Sequence, residues 1–307
     1  MGKYIVKRLL MGVVALLVLA TITFFMMKAI PGNPFSRENK AMSPSQMEKL
    51  NEQYGLDKPI LEQYLTYMGN ALQGNFGESI KKTGQTVISI IAQDAPVTAR
   101  LGAVAFVIAL VVGIGFGMVS ALTKSRVANS IITILATFGV SFPSFLLAML
   151  AMILFGVNLK WLPLAGLSTP KHYILPAFAL ALSPISMITR LTRSSLTDVM
   201  NKDYITLARS KGTSNLMVIL KHGLKNALLP VVTYCGPMLV GLLTGSFVIE
   251  TLFSIPGIGK EFVSSVSNRD YTLIMGLTIF LGALMILMNL VSDVVAALID
   301  PRIKFDK

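Results

Sequence analysis

Few residues of this 307-residue chain have the types and spacing that catalysis requires. The two histidines, His172 and His222, are separated by an apolar run that is long enough to cross a membrane, so they are not expected to share a metal ion. The nearest approach to a phosphate-binding loop is Gly257-Ile-Gly-Lys260. It has Ser254 in place of the first glycine and Glu261 in place of the final Ser or Thr. We therefore expect no catalytic residue, no cofactor and no metal site on this chain, and no enzyme activity of its own.

One carboxylate, Asp293, is predicted to lie inside a membrane segment, near its inner end. Ionisable groups within a membrane are candidates for a function by default. An ion-coupled transporter would need such a group, and Asp293 is the only candidate for it. The plainer interpretation is that Asp293 reaches solvent or pairs with a cytoplasmic lysine or arginine.

The composition predicts that any functional site is held by membrane-spanning helices. The chain is 53% hydrophobic and 14% charged, and its mean hydropathy is +0.68, which is typical of a membrane protein. We predict an all-α polytopic membrane protein with six transmembrane helices. The predicted spans are residues 9–30, 101–122, 131–157, 174–188, 228–252 and 271–299.

The net charge of +12 is concentrated in the segments between alternate spans. Lysine and arginine accumulate in cytoplasmic loops, so both termini are predicted to be cytoplasmic in a multi-pass protein of the cytoplasmic (inner) membrane. The excess charge is then an orientation signal within the lipid bilayer, and no nucleic-acid partner is expected. Lys28, near the outer end of the first span, is expected to extend towards the headgroups. Cys235 is the only cysteine, so it cannot form a disulfide within the chain.

Three regions follow from this topology. Residues 1–30 form an N-terminal tail and the first transmembrane helix. Residues 31–95 form a small extracytoplasmic insertion of two short helices, which serves either as a structural cap or as part of a docking surface. Residues 96–307 form a five-helix core with a cytoplasmic loop at 190–230. Phe142-Pro143 is expected to kink the third span, and Pro176 and Pro184 are expected to break the fourth.

The loop at 190–230 is rich in lysine and arginine, and it also has the pattern of a folded segment. Ile205, Leu207 and Ala208 recur near helical spacing, and Gly212 then interrupts the pattern. A second helical run begins at Leu216. A helix, a glycine turn and a second helix make a rigid projection, which could pass force from a soluble partner to the membrane helices.

Two stretches of this loop carry a resemblance: Tyr204-Ile-Thr-Leu-Ala-Arg-Ser-Lys-Gly212 and Lys221-His-Gly-Leu-Lys-Asn-Ala-Leu-Leu-Pro230. Together they resemble the coupling loop of binding-protein-dependent ABC importers, and they are most similar to the peptide and nickel permease family. The general signature of such loops begins Glu-Ala-Ala, followed by three residues and Gly. Thr206 and Leu207 replace its first two residues, as in the peptide subfamily. The resemblance covers essentially the whole chain, including Ala29-Ile-Pro-Gly-Asn-Pro34 and Phe253-Ser-Ile-Pro-Gly-Ile-Gly259.

The resemblance implies a permease subunit that moves oligopeptides or dipeptides into the cytoplasm by alternating access. It implies four further parts: a second homologous permease subunit, two ABC ATPase subunits and an extracytoplasmic substrate-binding protein. ATP and Mg²⁺ would bind to the ATPases. Two alternatives stay open, namely the same architecture importing nickel or another small solute, and an ion-coupled secondary transporter.

The resemblance also assigns an ATPase-coupling site, for which we predict Tyr204, Ala208, Arg209, Lys211 and Gly212. Ala208 and Gly212 are four residues apart, so we expect them to form a small-residue face that fits into a groove on the ATPase. Arg209 and Lys211 would flank that face and pair with acidic groups.

Glycines inside the spans suggest two further roles. Gly236, Gly241 and Gly245 would leave the fifth span thinly covered, which suits a translocation path, although close helix packing explains them equally well. Gly113 and Gly117 have the spacing that lets two membrane helices approach closely.

Overall fold

The structure is a computed structural model that describes residues 2–29, 34–35, 44–244 and 246–299. Over these residues the chain is all-α, as predicted, with one isolated antiparallel bridge between Glu78 and Thr86. In chain order the helices are α1 (Gly2–Ala29), α2 (Pro44–Gln53), α3 (Ile60–Leu72), α4 (Val87–Leu122), α5 (Arg126–Ser141), α6 (Ser144–Ala151) with a π-helical continuation (Met152–Asn158), α7 (Lys171–Met200), α8 (Asp203–Ser210), α9 (Asn215–Met217) with a π-helical continuation (Val218–Leu224), α10 (Lys225–Ala227), α11 (Leu229–Leu243), α12 (Phe247–Leu252), α13 (Ile258–Ser267) and α14 (Tyr271–Ile299).

Four of the helices in the described residues are long and apolar enough to cross a membrane by themselves: α1, α4, α7 and α14. Two further candidates are bent pairs. The pair Arg126–Ser141 and Ser144–Asn158 bends by 110°, and the pair Asn215–Ala227 and Leu229–Leu243 bends by 50°. Six spans result if each bent pair counts as one. The first bend falls at the predicted Phe142-Pro143, but it is far sharper than a kink.

The fourth span differs from its prediction. The helix α7 is continuous from Lys171 to Met200 and contains both Pro176 and Pro184, whereas we expected a short, broken span at 174–188. Buried residues recur along its whole length, so packing on several sides offsets the backbone hydrogen bonds that the prolines remove. The first eleven residues of the predicted loop, 190–200, therefore belong to this helix.

Two other spans have different ends from those predicted. The helix α4 begins at Val87, inside the segment predicted as the outer insertion, and it continues through Pro96. The predicted fifth span at 228–252 is divided, because α11 ends at Leu243 and α12 begins at Phe247. The Ser246 hydroxyl caps α12 by accepting a hydrogen bond from the backbone N–H of Ile249 at 3.3 Å.

The chain divides into two compact units. The first comprises Met1–Val97 and Gly257–Ile286, and the second comprises Thr98–Pro256 and Leu287–Lys307. In the first unit, α3 packs on α1. The Tyr64 ring lies 5.4 Å from that of Phe24, and its hydroxyl is hydrogen-bonded to Thr21 at 2.7 Å. Lys28, for which we predict a position near the headgroups, donates to Gln63 of α3 at 2.5 Å.

A buried carboxylate, that of Asp270, fastens the chain between the outer helices and α4. It accepts hydrogen bonds from the Ser79 hydroxyl and from the backbone N–H groups of Ile80 and Lys81, both at 3.1 Å. It also accepts from the backbone N–H of Leu273 at 3.2 Å and so caps α14. An ionised carboxylate that accepts several backbone N–H bonds is well compensated for its burial.

The second unit is built around α7, which α4 and α5 approach through glycines. A Cβ added to Gly113 would lie 2.7 Å from the Cβ of Ile188, and one added to Gly117 would lie 2.9 Å from the carbonyl oxygen of Thr189. The Thr189 hydroxyl donates to the carbonyl of Gly113 at 3.3 Å. The close approach predicted from Gly113 and Gly117 is therefore confirmed. Gly139 of α5 makes a similar approach to α7.

Candidate functional site

The segment from Lys202 to Ala227, which we term the knob, follows directly on α7. Its first helix, α8, begins with Asp203, whose negative charge suits a helix N-terminus. The helix ends in a Schellman motif, in which the N–H of Gly212 bonds the carbonyl of Arg209 at 2.9 Å and the N–H of Thr213 bonds the carbonyl of Ala208 at 3.2 Å. Gly212 has φ +78°, as this motif requires, and glycine adopts that conformation without strain.

The knob has a small apolar interior. Ile205, Ala208 and Val218 are buried together, and Met200 at the end of α7 packs against them. The predicted exposed face of Ala208 and Gly212 is therefore wrong, because Ala208 points into the knob and only Gly212 is exposed. Gly212 lies in the turn that closes the helix, so the spacing of four does not place the two residues on one surface.

The second half of the knob is held against α7 and α8. Gly223 is buried, and a Cβ there would lie 3.1 Å from the sulfur of Met200. The amide of Asn226 donates both to the Tyr204 hydroxyl at 3.2 Å and to the carbonyl of His222 at 3.1 Å. Tyr204 therefore links the two halves of the knob. His222 contributes its backbone oxygen to this link.

The knob exposes several large apolar side chains among its polar and basic ones. The large apolar side chains on it are Tyr204 (41% exposed), Leu207 (55%), Leu216 (68%), Met217 (51%) and Leu220 (47%). We term these five residues the apolar face. Exposed apolar patches commonly mark a protein–protein contact. Arg209 and Lys211 are also exposed, so the knob offers basic groups beside this face.

The sequence predicts only Tyr204 of the apolar face as a coupling residue, and the other four residues are new from the structure. In the sequence, Leu207 is part of the helical pattern and Leu216 is the start of a second apolar run. A signal was available in the sequence: Ile205 and Ala208 alone satisfy the inward stripe of an eight-residue helix, so Leu207 must lie outside it. The exposure of Leu216 and Met217 depends on the tertiary fold.

The three glycines predicted for a translocation path lie in different surroundings. Gly236 approaches α14 so closely that an added Cβ would collide with Ser292, so it packs two helices together. Gly241 is exposed, and an added Cβ would meet nothing within 4 Å. Gly245 lies outside the described residues.

Metal binding and the carboxylates within the predicted spans are the other candidates for a functional site. In the described part of the chain, no group of three or more His, Cys, Asp or Glu side chains could hold a metal ion. Glu250 is fully buried and accepts a hydrogen bond from the Thr98 hydroxyl at 2.9 Å. Asp293 also has an interaction partner.

These features define a class of protein: a multi-pass α-helical membrane protein whose central helix continues into a folded projection with an apolar face. Family comparison agrees with this class. Residues 113–305 match the family of binding-protein-dependent transport system inner membrane components, and residues 1–102 match the N-terminal region of such membrane components. The chain belongs to this family.

Characterised relatives match the chain over its whole length. It is 43% identical to the dipeptide transport system permease protein DppB of Lactococcus lactis subsp. cremoris, over 99% of this chain and 100% of that protein. It is 42% identical to the oligopeptide transport system permease protein OppB of Salmonella typhimurium, again over 99% and 100%. The relatives are named as permeases.

Solved structures show the same fold at low sequence identity. An inward-facing MetNI methionine ABC transporter chain has a TM-score of 0.57 and 14% identity, covering 69% of this chain and 96% of that one. A chain of an amino acid ABC transporter has a TM-score of 0.52 and 15% identity, covering 70% and 94%.

Proposed function

We propose that this chain is the membrane-spanning permease subunit of an ATP-driven, binding-protein-dependent importer of oligopeptides or dipeptides. The observation that carries the proposal is the full-length identity of about 42% to permeases of dipeptide and oligopeptide transport systems. In this proposal the helices alternate between outward-open and inward-open states. Substrate and ATP drive the change through their different affinities for the two states.

The proposed complex contains a second homologous permease subunit, two ABC ATPase subunits and an extracytoplasmic substrate-binding protein. ATP and Mg²⁺ bind to the ATPases, which supply the energy. Each ATPase would contact a permease at the knob, and the apolar face supports this assignment because its exposed leucines lack a covering element among the described residues. The basic side chains of Arg209 and Lys211 add charge complementarity to an acidic partner.

The decisive experiment is uptake by the reconstituted complex. The two permeases and two ATPases are placed in proteoliposomes, and the binding protein is supplied outside with a radiolabelled dipeptide. We expect accumulation of dipeptide that requires both ATP and the binding protein. Uptake of nickel ions without peptide uptake would contradict the substrate. Uptake driven by an ion gradient without ATP would contradict the energy source.

The proposed orientation places both termini and the knob in the cytoplasm, and α2 and α3 outside. Asp57 and Ser214 are both exposed and lie on opposite sides in this arrangement. After Cys235 is replaced by Ser, a cysteine at position 57 should react in intact cells with a membrane-impermeant maleimide. A cysteine at position 214 should react only in inverted vesicles. Reaction of both from one side would refute this topology.

Gly241 offers a test of the translocation path. Because an added side chain there meets nothing within 4 Å, Gly241→Leu should leave the chain folded and yet narrow any path beside it. We expect the uptake rate to fall several-fold for a hexapeptide and little for a dipeptide. As a comparison, Gly236→Leu forces α11 away from Ser292 and should lower uptake of both peptides alike. A uniform loss in Gly241→Leu would exclude Gly241 from the path.

A further inference from the structure

A cavity of about 650 Å³ lies within the first unit, at the ends of α1 and α14 and beneath α3. Its volume is within the range of small-molecule binding sites, about 300–1,000 Å³. In the proposed orientation it opens on the outer side of the membrane. Its lining combines aromatic rings with charged groups of both signs.

The base of the cavity holds a partly buried ammonium, that of Lys28. Its Nζ lies 5.1 Å from the ring centre of Tyr271 and 5.7 Å from that of Phe24, and it donates to Gln63 Oε1. The ammonium has three donors, so two are left for other acceptors. None of the described carboxylates forms an ion pair with it. A cation in this position would be stabilised by an anionic ligand group.

The orientation of the amide of Gln63 is set by its other hydrogen bonds. Its Nε2 donates to the carbonyl of Lys58 at 2.7 Å and to that of Leu56 at 3.1 Å. Both donors of the amide are thus occupied, and its oxygen is directed at Lys28. The ammonium is therefore held in place by the fold before any ligand arrives, which reduces the entropy lost on binding.

The rest of the lining carries charges of both signs, and its lysine, Lys58, is paired with Glu62 at 2.7 Å. Glu52 and Glu78 are exposed carboxylates on the cavity wall. The pKa of the Tyr54 hydroxyl, also on the wall, is raised by burial and by the charges of Glu78 and Asp270. The part of this rise that comes from Glu78 and Asp270 reflects their negative charge, which favours a cation nearby. The cavity thus offers the ammonium of Lys28 and the carboxylates of Glu52 and Glu78, with aromatic surface as well.

We propose that this cavity binds a short peptide through its charged ends, the carboxylate to Lys28 and the ammonium to Glu78. This inference rests on the proposed function and adds to it a site on the permease itself, reached when the peptide leaves the binding protein. Peptides differ in their side chains but share two charged termini, so a site that reads the termini accepts many sequences. The aromatic rings would contact the side chains without strong selection.

The test is equilibrium binding of radiolabelled Ala-Phe to the complete transporter in phosphatidylcholine nanodiscs, without binding protein or ATP. The ligand set is Ala-Phe, its C-terminal amide and its N-acetyl derivative. In the wild type, amidation should weaken binding about 10-fold or more, the range for a hydrogen bond to a charged group. In Lys28→Met, amidation should make no difference, because its partner is absent.

The two proteins and the two ligands form a double-mutant cycle, which separates recognition of the peptide from support of the fold. If Lys28 only fastens α3 through Gln63, Lys28→Met lowers thermal stability but leaves the ratio of the two affinities unchanged. Glu78→Gln is tested in the same way with Ala-Phe and its N-acetyl derivative, which lacks the terminal ammonium. Tyr64→Phe is the control variant, because it removes a hydroxyl that joins α3 to α1 without lining the cavity. It should leave both ratios as in the wild type.

Three results would overturn the inference: no saturable binding by the wild type, affinity ratios that Lys28→Met leaves unchanged, or loss of peptide binding when phosphatidylglycerol is added to the nanodiscs. The last would assign the cavity to a lipid headgroup. Failure of the inference is distinguishable from failure of the proposed function. A transporter that accumulates dipeptide with ATP and binding protein, but shows none of these ratios, retains its function and loses only this site.

Discussion

Replacing Leu216 with Glu should detach the ATPase subunits from the membrane complex while this chain stays folded. Leu216 is 68% exposed and takes no part in the interior of the knob, so the substitution leaves the fold of the knob intact. At a contact with the ATPase it would bury an unpaired carboxylate. Losing a central apolar contact costs about 2 kcal/mol or more, which corresponds to roughly 30-fold weaker binding. The measurements are co-purification of the subunits and ATPase stimulation by loaded binding protein.

Two companion variants make this result specific. Leu216→Met keeps an apolar side chain of similar volume and should retain assembly and stimulation. Arg209→Ala removes one exposed charge, and a surface ion pair is worth under about 1 kcal/mol, so its effect should be small. Normal assembly and normal stimulation in Leu216→Glu would show that the apolar face is not the coupling surface.

Substitutions inside the knob should uncouple the transporter by another route. Ala208→Glu places a carboxylate among Ile205, Val218 and Met200, so we expect the knob itself to unfold locally. Gly212→Glu forces a side chain into a left-handed conformation at a cost of about 1 kcal/mol and loosens the Schellman turn. Both should increase protease cleavage between α7 and α11, which Leu216→Glu should not. Unchanged cleavage in Ala208→Glu would contradict the assigned interior.

Local chemistry accounts for the features of the knob that the sequence predicted. Gly212 interrupts an apolar pattern at a helix end, and the turn there requires positive φ. A glycine at this position therefore predicts both the end of the helix and the backbone conformation of the turn. The spacing of Gly113 and Gly117 also predicted a close helix contact, because it leaves one face of the helix without side chains. The all-α fold followed from the length and apolarity of the runs.

The errors arose where packing between distant segments decides the outcome. Pro176 and Pro184 argue for a broken helix by their chemistry, yet the neighbours of α7 keep it continuous. The small side chain of Ala208 predicts a contact with a partner protein, whereas in the fold its size lets α8 pack against Val218. The contact of Lys28 with the amide of Gln63 likewise joins two segments that are 35 residues apart. The residues that make these contacts are distant in the sequence, so the pattern of one segment alone cannot predict them.

Replacing Gly117 with Ala should destabilise the membrane core strongly, whereas Gly115→Ala should not. The two glycines lie two residues apart in α4, but an added Cβ collides with Thr192 and lies 2.9 Å from the carbonyl oxygen of Thr189 at position 117. At position 115 it meets nothing within 4 Å. Overpacking a tight contact costs about 1–3 kcal/mol, while alanine raises helix propensity at both positions by up to about 1 kcal/mol.

We therefore expect the melting temperature of the purified complex to fall in Gly117→Ala and to stay level or rise in Gly115→Ala. The same contact fixes α7, and α7 leads directly into the knob, so Gly117→Ala should also lower the ratio of stimulated to basal ATPase activity. If α7 is displaced, movement of the knob is no longer transmitted rigidly to the transmembrane helices. Equal melting temperatures and equal stimulation in the two variants would show that the approach of α4 to α7 is not what transmits the movement.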